Sequence, residues 1–316
     1  MPVKKMILMG VLAGLVFITV MIVVSHKKPK QPSKSQTSMS TPTVSPPKDG
    51  GEADSVNIDL ATIPDIPDRP KGERVAVNGI SMYYEVLGQG EPMLLINGGA
   101  ATIESWFSQI PEFRNHYQII ATDSRGQGRT QDGDGPINFD VMASDFEALL
   151  DHLKVKNVSV VGWSDGGVVG LKLAINRPDL VKKIVALGAH SRPEGMTAEF
   201  REEVKNSSPE NFPPILVDGY KALSPDGPKH WPVVFNKLKT MWLTLPNIPE
   251  SDLGKIQCPV LLMVGEHDVI RRDESERLAR LIPKAQLKVL DGASHYSPVE
   301  IPEIVNAEIL GFLGDP

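Results

Sequence analysis

One cysteine, Cys258, stands in 316 residues. An intramolecular disulfide is thereby excluded, and so is a thiolate metal cluster. Its place before Pro259, at the head of an apolar run, reads as a buried structural thiol. A single cysteine leaves the redox compartment open. Basic excess is missing too: 33 Lys and Arg face 39 Asp and Glu, a formal charge of −6. A nucleic-acid partner therefore has no electrostatic footprint. No internal repeat is present, and the length suits one large α/β domain with extras.

One uncharged apolar run, Met6–Val24, is 19 residues long and flanked by lysines. It is close to the ~20 residues that span a bilayer as a helix. Residues 1–26 are expected to form a transmembrane anchor, with the catalytic part outside the cytoplasm. A cleaved signal peptide with secretion is the alternative. Residues 27–70 are rich in Ser, Thr, Pro and Lys and read as a solvated tether. The expected domains beyond it are a core over 71–190, a helical lid over 191–257, and a second core part over 258–316.

Within the core, short apolar segments alternate with helical periodicity. Ile80–Leu87 follows an Asn78-Gly79 turn, and Pro92–Asn97, Tyr117–Asp123, Lys183–Gly188, Val260–Gly265 and Gln286–Leu290 read as strands. Phe139–Leu153 and Pro302–Leu313 read as helices. The alternation predicts a mostly parallel sheet with helices on both faces, with ligands beyond the carboxyl ends of the strands. Between Ser191 and Gln257 it breaks. That stretch is proline-rich and helix-like, and carries Trp231, Phe235 and Trp242. A lid over the sheet's carboxyl edge is expected there, with those aromatics lining a pocket.

Val158–Gly167 is the stretch that carries chemistry. An apolar strand meets Gly162-Trp163-Ser164-Asp165-Gly166, and a helix follows. A serine at the apex of so sharp a turn is exposed above a helix N-terminus, where amides can hold an oxyanion. A serine needs a base, and the base a carboxylate. Seven histidines are available. His26 lies in the tether, while His116 and His152 are expected exposed near element ends. His230 falls in the lid, and His267 beside a candidate acid. His190, just past a strand, is a candidate pocket residue. His295 lies in Gly292-Ala293-Ser294-His295, between the last strand and the last helix, and Asp268 follows the preceding strand. The order Ser164, Asp268, His295 selects these three as the expected catalytic residues.

Residues 73–313 resemble the α/β-hydrolase superfamily. The resemblance rests on Asn97-Gly98-Gly99 with Trp106, Asp123-x-Arg125-Gly126-x-Gly128, Gly162-x-Ser164-x-Gly166, Gly265-x-x-Asp268, and Gly292-x-x-His295 with Glu300-x-Pro302. It implies an α/β-hydrolase fold and a serine esterase acting on a small-molecule ester without metal or organic cofactor. It also implies an oxyanion hole from the amides of Gly99 and Asp165. Asn97 departs from the family's usual histidine. The elbow is similar to that of the biphenyl-hydrolase-like branch, which includes valacyclovir hydrolase. That similarity implies that Asp165 lies in the substrate pocket and pairs an α-ammonium; Trp163 beside it is also expected to line the pocket. A plain helix-capping role is the competing reading of Asp165. Carbon–carbon bond hydrolysis, perhydrolysis and a catalytically silent binding protein at the envelope remain open. Haloalkane dehalogenation would need an aspartate where Ser164 stands.

Overall fold

A computed structural model of the chain describes residues 65–314. Eight strands run in chain order: β1 (Glu73–Val77), β2 (Ile80–Leu87), β3 (Glu91–Ile96), β4 (Tyr117–Thr122), β5 (Val158–Trp163), β6 (Val181–Leu187), β7 (Val260–His267) and β8 (Ala285–Ser294). They form one sheet in the order β1-β2-β4-β3-β5-β6-β7-β8. β2 is antiparallel to both neighbours, and all pairs from β4 to β8 are parallel.

All six residues of β5 are buried. Successive side chains of a strand point to opposite faces, so both faces of the sheet are covered here. The neighbouring apolar run of β3 is buried from Met93 to Ile96. Each such aliphatic side chain contributes roughly 1.5–3 kcal/mol on burial.

The helices are α1 (Ile110–Phe113), α2 (Phe139–Leu153), α3 (Asp165–Asn176), α4 (Ala198–Asn206), α5 (Pro214–Leu223), α6 (Trp231–Thr244), α7 (Glu250–Leu253), α8 (Arg272–Leu281), α9 (Ser297–Glu300) and α10 (Pro302–Leu313). The Asn138 side chain accepts from the Val141 amide and starts α2; Lys154, at φ 56°, ends it. Phe146, Leu149 and Leu150 are buried as the periodicity predicts, whereas Val141 and Leu153 are half-buried. The four helices α4–α7 lie between β6 and β7, in the segment where the alternation breaks. β8 continues past the expected Leu290 to Ser294, because pairing with β7 resumes after a register shift and joins His267 to Ser294.

Two expectations are corrected. Among the described residues no helix is long and apolar enough to cross a membrane. The longest, α2, has 15 residues, short of a bilayer's thickness. The run at 6–24 and the tether up to residue 64 lie outside the described residues. The membrane partner and the membrane-anchored, extracytoplasmic location are accordingly withdrawn. Cys258 is half-buried rather than buried, and its surroundings push the thiol up to about 11.

Candidate active site

The elbow is built by backbone crowding. Ser164 sits at φ 56°, ψ −118°, between the end of β5 and the start of α3. A non-glycine residue in that region is strained and is held there by its surroundings. The Ser164 amide donates to Leu187 O over 2.7 Å, tying the apex to the end of β6. A Cβ on Gly162 would stand 2.2 Å from Gly166 O, and one on Gly166 would stand 2.1 Å from Ile96 O. Only glycine fits at either position. The serine itself is half-buried.

His295 and Asp268 arrive from the loops after β8 and β7. Their side chains meet at 2.7 Å, Nδ1 to Oδ1. Asp268 is fixed in turn by the amides of Ile270, at 2.8 Å, and Gly265, at 3.3 Å. Burial disfavours charge on the His295 ring. The charge and hydrogen bond of Asp268 outweigh it, with smaller help from Asp165 and Glu300, so the imidazole pKa lies above its usual value. Ser164, Asp268 and His295 thus follow the carboxyl ends of β5, β7 and β8, with β6 between the first two of these strands. Among the described residues no hydrogen bond joins Ser164 Oγ to His295; such contacts often tighten only when substrate binds.

Two supports of His295 were not legible in the sequence. Gly188, at φ +58°, ends β6 under the imidazole; a Cβ there would lie 2.7 Å from His295 Cε1. Trp163 is buried, and its indole N–H donates to the His295 carbonyl over 2.9 Å. Expected in the pocket, Trp163 is instead a strut between the elbow and the histidine loop. Its ring meets Trp106 and Tyr296 edge-on. The lone glycine after an apolar strand was the one available signal for Gly188.

Asp165 is buried, and its side chain caps no amide of α3. Its Oδ2 accepts from Trp242 Nε1 of α6 over 2.8 Å. Burial pushes this carboxyl up to about 6, against the Trp242 hydrogen bond and the His295 charge. The group lies beside the other proposed oxyanion residue: a Cβ on Gly99 would stand 2.4 Å from Asp165 Oδ2 and 2.6 Å from the Trp242 ring. The remaining two pocket aromatics sit elsewhere. Trp231 donates to Pro209 O and packs with Phe212, Tyr220 and Phe235 inside the α4–α7 segment. Phe235 is fully buried in the same cluster.

Asn97, where the family pattern has histidine, donates from Nδ2 to Thr122 O over 2.8 Å and joins the ends of β3 and β4. Arg125 of the following motif binds Asp145 through two hydrogen bonds, at 2.8 and 2.6 Å, in the interior. Among the other histidines, His230 pairs with Asp132, His152 and His267 are exposed, and His116 is half-buried. Among the described residues no group of three or more His, Cys, Asp or Glu could hold a metal.

The model of the alpha/beta hydrolase family matches residues 93–308. The chain is 30% identical to the human serine hydrolase BPHL over 235 residues, 70% of this chain and 79% of that protein. It is 27% identical to a non-heme haloperoxidase of Rhodococcus erythropolis, over 75% of this chain and 97% of the other. Among solved structures, Est816, described as an N-acyl homoserine lactone degrading enzyme, aligns with a TM-score of 0.64 at 26% identity. That alignment covers 76% of this chain and all of Est816.

Proposed function

This chain belongs to the α/β-hydrolase family and is a hydrolase, and from that premise we propose that it cleaves carboxylic esters of small molecules through Ser164, His295 and Asp268. The observation that carries this reading is the 2.7 Å His295–Asp268 bond, together with a serine held at positive φ at the end of β5 on the same sheet. His295 Nε2 takes the Ser164 proton as Oγ attacks the ester carbonyl. The amides of Gly99 and Asp165 hold the tetrahedral oxyanion. His295 then protonates the departing alcohol, and water activated by the same ring releases the acyl group from Ser164. Asp268 keeps Nδ1 protonated and stabilises the imidazolium. The segment 191–257 is read as a lid, with Trp242 as the side chain that reaches the elbow.

A fluorophosphonate probe and p-nitrophenyl acetate test this. Wild type is expected to label and turn over, and Ser164→Ala to do neither while staying folded. A folded wild type that neither labels nor hydrolyses would return the chain to a binding role. Labelling without ester turnover, with cleavage of a dienoate diketone, would move the reading to carbon–carbon bond hydrolysis.

A further inference from the structure

One buried titratable group near the triad takes no part in the proposed mechanism. His190 lies two residues beyond Gly188, the residue that packs under His295. It is 4% exposed, and neither ring nitrogen has a protein hydrogen-bond partner. The backbone around it is held firmly. Ser191 donates to the buried Glu274 from both amide and hydroxyl, at 3.1 and 2.6 Å. On the other side, a Cβ on Gly195 would stand 2.9 Å from His190 Cβ. The backbone on both sides of His190 is thus fixed by contacts to its neighbours. Burial, and then the charge of His295, hold it neutral, with its pKa pushed down to about 3 despite the opposing pull of Asp268.

A neutral imidazole offers one N–H and one lone pair. Leaving both unmet in the interior is costly, and a partner brought by a ligand removes that cost. Resting on the serine-hydrolase reading, we infer that His190 is a specificity-determining residue: it hydrogen-bonds an uncharged polar group, such as a hydroxyl, on the substrate near the scissile carbonyl. A carboxylate at the same place would meet an uncharged ring and the nearby Asp268 anion, and is disfavoured. Substrates bearing a free acid close to the ester are thus selected against.

Two matched pairs test this on the full chain. One pair is p-nitrophenyl butyrate against its 3-hydroxybutyrate; the other is propyl butyrate against 2-hydroxyethyl butyrate. Wild type is expected to favour the hydroxylated member of at least one pair by roughly tenfold in kcat/KM, the worth of one such hydrogen bond. His190→Leu should abolish that preference, read as the ratio of kcat/KM within each pair, and His190→Gln should retain part of it. Should His190→Leu not fold, His190→Phe removes both nitrogens and carries the same comparison. A wild type without preference in either pair overturns the inference. So does a preference that survives loss of the ring nitrogens. Failure of the plain esters and of Ser164 labelling is a separate result. It would mean that the hydrolase reading has failed and has taken this inference with it.

Discussion

The Trp242 indole N–H and the Asp165 carboxylate meet at 2.8 Å, so a helix of the α4–α7 segment is bonded to the residue that follows the proposed nucleophile. Its acceptor is buried, and no other hydrogen bond reaches that carboxylate among the described residues. Trp242→Phe keeps the ring and removes the donor. It is expected to cost about 1–3 kcal/mol at pH 8, where the carboxylate is charged, and less at pH 5. Chemical denaturation at the two pH values checks this. Equal losses at both would show that the bond is not to an ionised group.

Asp165 also sets a pH dependence of stability. Its folded pKa, about 6, lies above the ordinary 3.8, so the folded state holds a proton that the unfolded state releases first. Its contribution is complete below the unfolded pKa and is lost as pH rises towards 6. Asp165→Asn should therefore gain stability relative to wild type as pH rises from about 4 to about 6, and hold a constant difference above. A pH-independent difference between the two unfolding curves would contradict the assignment.

Activity depends on the protonation of His295. Its pKa is raised above 6.5, and the ring must be neutral to accept the Ser164 proton. The acid limb of kcat/KM against pH is expected above 6.5. Asp268→Asn removes the leading group that raises the pKa, so the limb should move to lower pH. The same change is expected to cost roughly 10⁴ in kcat, as loss of the orienting carboxylate does in triads generally. A rate profile unchanged in position would rule Asp268 out as the partner.

Gly188→Ala places a methyl where His295 lies and asks alanine to adopt φ +58°. Displacing a catalytic group by about 1 Å costs on the order of 10² in rate. We expect a fall of that size in kcat with KM little changed. A variant that is folded by circular dichroism and fully active would show that the imidazole is not packed as described.

Much of the fold was readable in order along the chain, because a fully buried strand and an amphipathic helix each leave a local pattern. β5 and α2 fall where the apolar run and the periodicity place them. Ser164, Asp268 and His295 were identifiable because each follows a strand end, and parallel strands bring those ends to one edge. The α4–α7 aromatics were less legible. Trp231, Phe235 and Trp242 share one proline-rich segment and one composition, yet the first two bury among themselves and only Trp242 contacts Asp165.

From local pattern alone came the family, the run of core strands and helices along the chain, and the choice of Ser164, Asp268 and His295 as candidates, of which the last two are hydrogen-bonded. Those depend on patterns within a few residues and on the order of motifs. Tertiary structure alone decided that Trp163 braces His295, that Gly188 lies under the imidazole, that Asp165 bonds Trp242 rather than capping its own helix, and that His190 is buried without a partner. Each is a contact between elements far apart in the chain. The direction of a side chain and the burial of its polar atoms are set by what packs against it, which no local pattern records.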